Sequence, residues 1–252
     1  MEDARRVVLV TGGSRGIGRA IAERFAAAGD RVAVHYRSNQ SAAVETLAAL
    51  EGDGHTAIAA DVANPQACAD LVARVIADMG GLDVLVNNAG IYDLHPALEV
   101  DFEQWQQSWN ATIATNLTGP AHLMFHAARH MAASGGGKIV NVSSRGAFRG
   151  EPESTAYGAA KAGLNSLSQS MAKYLAPQGI FVGVVAPGFV ETDMAAPFLA
   201  GELGREIRSQ SPLNRAATPD EIARAVEFLA SDGIEYLTGC IIDANGASYL
   251  RT

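Results

Sequence analysis

Val7-Val8-Leu9-Val10-Thr11-Gly12-Gly13-Ser14-Arg15-Gly16-Ile17-Gly18 decides how the rest of the chain is read. An apolar run enters a glycine-rich turn, and a helix-forming stretch, residues 19–28, follows and stops at Gly29. A short apolar run without alternation is the pattern of a strand covered on both faces. Glycines in the turn let the main chain bend sharply and approach a ligand closely. The helix start behind them offers free N–H groups and a positive dipole end, which suits a pyrophosphate. No Gly-Lys-Ser/Thr follows, so the turn is not a Walker A loop.

The pattern repeats outward from this unit. Strand-like runs at residues 32–34, 56–60, 82–86, 138–142, 180–185 and 240–243 alternate with helical stretches at 41–50, 66–79, 102–133, 155–175 and 219–230. Residues 102–133 read as a long helix with an interruption. The alternation predicts an α/β chain: a doubly wound, seven-stranded parallel sheet with helices on both faces. No linker, repeat or low-complexity tract divides the 252 residues, so 1–252 reads as a single domain. Residues 187–218 form the one long irregular segment and are the candidate substrate lid.

Hydrophobic residues make up 48% of the chain, enough to fill a core. The net charge is −8, and no basic run exceeds Arg5-Arg6. That balance disfavours nucleic acid and anionic membrane surfaces as partners. Cys68 and Cys240 fit neither a disulfide framework nor a CxxC metal pair, so reduced thiols in a cytoplasmic protein are expected. The opening Met1-Glu2-Asp3 does not resemble a signal peptide, and no apolar run approaches the ~18 residues of a membrane span.

Further motifs follow in order: Asn87-Asn88-Ala89-Gly90 after the fourth strand, Ser144 after the fifth, Tyr157-Gly158-Ala159-Ala160-Lys161 on a helix, and Pro187-Gly188 after the sixth strand. With the TGxxxGxG spacing of Thr11 to Gly18, they resemble the short-chain dehydrogenase/reductase family along the whole chain, nearest its 3-oxoacyl-carrier-protein-reductase-like branch. The resemblance implies a Rossmann fold, a nicotinamide cofactor and a homotetramer. It implies Asn116, Ser144, Tyr157 and Lys161 as the catalytic set. It also implies a cofactor set of Gly12, Ser14, Arg15, Gly16, Ile17, Gly18, Arg37, Ser38, Asp61, Val62, Asn88, Ala89, Gly90, Tyr157, Lys161, Pro187, Gly188, Val190 and Thr192.

The chemistry is consistent with those residue types. Reduction of a carbonyl needs a proton donor, and Tyr157 can supply it. Lys161 lies one helical turn on, where its charge is expected to pull the tyrosine below its ordinary pKa of about 10. Ser144 resembles the residue that hydrogen-bonds the substrate oxygen. Pro120 has no N–H for the Asn116 carbonyl four residues back, which leaves that oxygen for a water-linked relay to Lys161. The second strand ends in Tyr36-Arg37-Ser38 with no carboxylate, and Arg37 with Arg15 can hold a 2′-phosphate. NADP(H) is therefore expected rather than NAD(H).

His122, His126 and His130 are spaced by four, but the helical rotation turns His130 about 80° from His122. The reaction needs no metal, and none is expected. Trp105 and Trp109 form a packing stripe or the wall of the substrate mouth. Substrate choice is assigned to residues 92–95 and 191–218, with Phe189, Met194, Phe198 and Leu199 giving an apolar lid. Two departures from the family pattern stand out. Asn245-Gly246-Ala247 replaces Asp-Gly-Gly near the last strand, and basic residues that carrier-protein reductases present are replaced by Gly135-Gly136-Gly137 and Gln178-Gly179. The function expected is interconversion of a carbonyl and a secondary alcohol. The alternatives are a 3-oxoacyl-carrier-protein reductase and a catalytically idle dinucleotide-binding regulator.

Overall fold

The computed structural model describes residues 5–251. The first half of the chain runs β1 (Val7–Val10), α1 (Gly16–Ala27), β2 (Arg31–Tyr36), α2 (Gln40–Ala49), β3 (Thr56–Ala59), α3 (Pro65–Met79) and β4 (Val84–Asn87). Next come α4 (Phe102–Ile113), α5 (Gly119–Ser134), β5 (Gly137–Val142), α6 (Gly146–Arg149), α7 (Thr155–Leu175) and β6 (Ile180–Pro187). The last part holds α8 (Ala196–Leu199), α9 (Gly201–Ser209), α10 (Pro219–Leu229) and β7 (Ile241–Ala244). The strands form one seven-stranded parallel sheet in the order β3-β2-β1-β4-β5-β6-β7.

The apolar strand runs are explained by burial on two sides. Leu9, Leu85 and Ile139 face a core built with Leu71 and Val75 of α3, Leu123 and Met131 of α5, and Leu164 of α7. Val8, Val10, Val84 and Val140 face the other core, with Ile21 and Phe25 of α1 and Ile222 and Val226 of α10. Burying each large side chain contributes about 1.5–3 kcal/mol.

The strand order reverses at β1 and β4. Crossovers leave these strands in opposite directions, which opens a crevice at their C-terminal ends. Two helices are firmly capped. Asn64 accepts from the N–H groups of Gln66 and Ala67 at the start of α3, and Thr218 with Glu221 forms a capping box on α10. By contrast, α1 has no side-chain cap and no acidic residue in its first turn. No described helix is long and apolar enough to cross a membrane.

The interruption expected in residues 102–133 is a π-helical turn at Ala114–Thr118, with Asn116 at its centre. The Gly119 N–H reaches back five residues to the Ala114 carbonyl, and Pro120, lacking an N–H, follows. Residues 187–218 are less irregular than expected. They carry α8 and α9, and a bridge between Val190 and Ala217 draws the two ends together. Gly201 and Gly204, poor helix formers, hide α9 in the sequence, while Gly204 is needed because a Cβ there would meet the Leu199 carbonyl.

Candidate active site

A cavity of about 580 Å³ lies at the C-terminal ends of the strands. Its floor is the β1–α1 turn, with Gly12, Ser14, Arg15, Gly16, Ile17 and Gly18. Arg37 and Ser38 border it beyond β2, Asp61 and Val62 beyond β3, and Asn88, Ala89 and Gly90 beyond β4. Ser144 enters from β5, Tyr157 and Lys161 from α7, and Pro187, Gly188, Val190 and Thr192 from the chain at and after the end of β6. Of the residues assigned from the sequence, Asn116 alone does not border this space.

The glycine turn is held by close approach. A Cβ on Gly18 would clash with the Gly12 carbonyl oxygen, and one on Gly12, at φ 63°, would stand 3.0 Å from the Ala89 Cα. Thr11 Oγ1 accepts from the N–H groups of Asn88 at 2.9 Å and Ala89 at 3.0 Å. Asn88 Nδ2 donates back to the Thr11 carbonyl at 2.9 Å. The two loops at the reversal point are thereby tied into one unit. The uncapped start of α1, the side-chain-free approach at Gly12 and Gly18, and Arg15 and Arg37, exposed and without an ion pair among the described residues, fit a phosphorylated dinucleotide.

His35 also holds this turn, and nothing in the sequence near it signals the role. It is buried at the end of β2, where Nδ1 accepts from the Gly12 N–H at 3.1 Å and Nε2 lies 3.0 Å from the Ala60 carbonyl. Those partners assign the proton to Nε2. Burial lowers its pKa from the ordinary histidine value, so it stays neutral.

Ser144 stands beside Tyr157, near enough to favour its ionised form. Ser144 Oγ accepts from the Gly146 N–H at 3.0 Å, which fixes its position. Its neighbour Ser143 turns instead to the Lys161 carbonyl at 3.4 Å. Lys161 Nζ donates to the Val142 carbonyl at 2.8 Å and lies 5.8 Å from the centre of the Tyr157 ring. The expected fall in the Tyr157 pKa is not found. Burial pushes Tyr157 up to about 12, against the opposing influence of Ser144, and pushes Lys161 down to about 8. In each case the lost hydration of the charged form sets the direction.

Asn116 is fully buried, and its side chain holds the main chain of Ile91. On the opposite wall, Tyr92 packs edge-on against Tyr157, with ring centres 4.9 Å apart, and against Phe198 at 5.7 Å. Its hydroxyl donates to Glu151 Oε2 at 3.4 Å, and Arg149 pairs with Oε1 of that acid at 3.5 Å. Arg145 also borders the cavity, with its guanidinium 5.1 Å from the Phe189 ring centre and donating to Gln210 Oε1 at 2.7 Å. Phe189, Met194 and Phe198 give the cavity an apolar wall. Tyr92 falls in the segment assigned to substrate choice and does border the cavity, whereas nothing in the sequence near Glu151 and Arg145 signals their place there.

Other candidates find different work. His95, in the segment assigned to specificity, lies under the start of α7, where Nε2 accepts from the Ala156 N–H at 3.2 Å. Trp105 and Trp109 stack 5.0 Å apart outside the cavity, so they form a packing stripe and not its wall. His130 accepts from the Leu82 N–H, and His126 packs against Phe125. Cys68 is buried and free, its thiol pushed up to about 11 by burial.

The protein family described as Enoyl-(Acyl carrier protein) reductase matches residues 12–246. The acetoacetyl-CoA reductase of Rhizobium meliloti strain 1021 is 41% identical, over 97% of this chain and 98% of its own. The 3-oxoacyl-[acyl-carrier-protein] reductase FabG of Haemophilus influenzae is 39% identical, with the same coverage of both chains. The crystal structure of a putative short-chain alcohol dehydrogenase from Sinorhizobium meliloti 1021 superposes with a TM-score of 0.90 at 37% identity, covering 96% of each chain. Likeness of this extent, on a sheet whose reversal point carries the glycine turn and the Asn-Asn-Ala-Gly loop, makes this protein a member of the short-chain dehydrogenase/reductase family of oxidoreductases.

Proposed function

We propose that the protein interconverts a carbonyl and a secondary alcohol with NADP(H), and that Tyr157 exchanges the proton. The observation that carries this reading is the convergence of Ser144, Tyr157 and Lys161 on one cavity, with the Lys161 ammonium 5.8 Å from the Tyr157 ring centre. Bound in the cavity, the reduced nicotinamide supplies a hydride to the carbonyl carbon. Ser144 steadies the carbonyl oxygen, and Tyr157, protonated at neutral pH, gives that oxygen its proton. Lys161, a cation below about pH 8, supports the phenolate left behind and meets the cofactor ribose. Asn116 acts from beneath by fixing the loop at Ile91, and its carbonyl serves the proton relay. Arg15 and Arg37 take the 2′-phosphate.

The segment 187–218 is the lid of a single 252-residue domain. A 3-oxoacyl thioester is the second substrate reading, favoured by full-length likeness to acetoacetyl-CoA reductase. The idle-regulator reading is disfavoured by the complete Ser144, Tyr157 and Lys161 cluster. Exposed Phe102 on α4, Phe125 on α5 and Tyr174 on α7 support a homotetramer assembled through the long helix and the Tyr157 helix, and reduced cysteines are consistent with the cytoplasm.

The test is NADPH oxidation against ketones, 3-oxoacyl thioesters and quinones, with wild type and Tyr157→Phe side by side. Wild type is expected to turn over at least one carbonyl class, and Tyr157→Phe none while still binding NADPH. Undiminished turnover by Tyr157→Phe would remove the assigned proton donor.

A further inference from the structure

Arg145 is an unusual residue for a substrate wall. It follows Ser144 directly, borders the same cavity and is only 3% exposed. Its side-chain partners are neutral: the Gln210 amide at 2.7 Å and the Phe189 ring at 5.1 Å. It makes no ion pair among the described residues. Glu151, the acid whose field reaches it, is engaged by Arg149 and Tyr92. Burial holds Arg145 down to about 10, still a cation at neutral pH. A buried charge without a counter-ion is costly, and proteins pair such charges.

The cofactor is poorly placed to supply that counter-ion. Its 2′-phosphate is assigned to Arg15 and Arg37, at the ends of β1 and β2. Arg145 follows β5, and β2 and β5 are separated by β1 and β4. Two strand spacings from β1 and three from β2 set Arg145 roughly 10 Å from the Arg15 position and roughly 14 Å from the Arg37 position. Arg145 instead sits beside Ser144 and against Phe189 and Gln210 of residues 187–218. The surrounding wall is apolar, with Ile91, Phe189, Met194 and Phe198.

We infer that the substrate carries a carboxylate and that Arg145 is its anchor, so that the preferred substrates are oxo-acids and the corresponding hydroxy-acids. The inference rests on the carbonyl–alcohol chemistry proposed above and names its substrate class. A planar guanidinium matches a carboxylate through two parallel hydrogen bonds, which also fixes the orientation of the carbonyl toward Ser144 and Tyr157. The Gln210 contact, just past the end of α9, ties the anchor to the lid, so an arriving anion is sensed by the segment that covers it.

The test compares a homologous series of oxo-acids with their methyl esters, using NADPH. Wild type is expected to favour acid over ester in kcat/KM by about tenfold or more. Arg145→Met is expected to lower that acid-to-ester ratio on the order of 100-fold, and Arg145→Lys by less. A purely structural role at Gln210 would depress acid and ester alike and leave the ratio unmoved; that result overturns the anchor, as does a wild type that prefers esters. Calorimetry of wild type with hexanoate and with hexanamide gives a readout independent of turnover and of how well the variants fold. Binding of the carboxylate alone is expected; equal binding of both, or of neither, overturns the anchor. Absence of NADPH oxidation with every acid and ester refutes the oxidoreductase reading instead, and the calorimetric pair still decides the fate of Arg145.

Discussion

Asn116 grips the main chain of Ile91 with both ends of its side-chain amide. The Ile91 N–H donates to Oδ1 at 2.9 Å, and Nδ2 donates to the Ile91 carbonyl at 2.8 Å. Ile91 follows Gly90, where a Cβ would stand 3.2 Å from the same Oδ1. The π turn at Ala114–Thr118 therefore sets the wall of the cavity from below. A widened helical turn of this kind often marks a functional position.

Replacing Asn116 tests that grip. Asn116→Ala leaves the N–H and the carbonyl of half-buried Ile91 without their side-chain partners, at about 0.5–1.5 kcal/mol each. A fall in Tm of roughly 5 °C is expected by calorimetry, with turnover lost alongside. Asn116→Asp is expected to fare no better, since it keeps the acceptor for the Ile91 N–H but loses the donor and adds a buried charge. A Tm unmoved in both variants would mean that the loop at Ile91 is held by something else.

The second expectation concerns cofactor choice. Arg37 is exposed at the rim of the cavity and makes no ion pair among the described residues. Hydrogen bonds to charged groups contribute about 1.5–3 kcal/mol. Arg37→Ala is therefore expected to raise the KM for NADPH about 10- to 100-fold and to leave that for NADH nearly unchanged. Steady-state kinetics with both cofactors measure this; an equal change for both would detach Arg37 from the 2′-phosphate.

What the sequence makes legible is what depends on neighbours along the chain. The Thr11–Gly18 turn, the Asn87–Gly90 loop and the Tyr157–Lys161 pair are local patterns, and the sheet brings them together as expected. His35 could not be read in this way. Its partners Gly12 and Ala60 lie on either side of it, on separate loops, and meet it only once β1, β2 and β3 are aligned. Arg145 and Gln210 are likewise joined only by folding. The sign of the Tyr157 shift is hidden from the sequence for a related reason: spacing reveals that Lys161 is close, but not how far folding desolvates both groups.

His35 supplies a pH dependence. Burial lowers its pKa below the ordinary 6.5 in the folded protein. Between that lowered value and 6.5 the unfolded chain holds more protons, so stability falls as pH drops through this window and is complete above about 6.5. A protonated ring has no lone pair for the Gly12 N–H, so the glycine turn loosens with it. NADPH affinity is expected to weaken as pH falls through the lowered His35 pKa, measured by fluorescence titration. His35→Asn supplies an acceptor that does not titrate, and its affinity is expected to be flatter with pH. If wild type and His35→Asn trace the same curve, another group controls the loop.

Lys161 sets function against stability. It is buried, its pKa falls from 10.5 to about 8, and its ammonium donates to the Val142 carbonyl at 2.8 Å. Between about pH 8 and 10.5 the unfolded chain holds more protons, so wild-type stability rises with pH across that window. Below about 8 the full cost of burying the cation is present, on the order of 3 kcal/mol. Lys161→Met removes this cost and gives back about 1 kcal/mol through the unpaired Val142 carbonyl. At pH 7 the variant is expected to melt roughly 5 °C above wild type while losing carbonyl reduction. The gap should narrow toward pH 10, as the wild-type lysine becomes neutral in the fold. Calorimetry at both pH values decides the matter: a variant less stable than wild type at pH 7 would show that the Lys161 ammonium is held by more than it costs to bury.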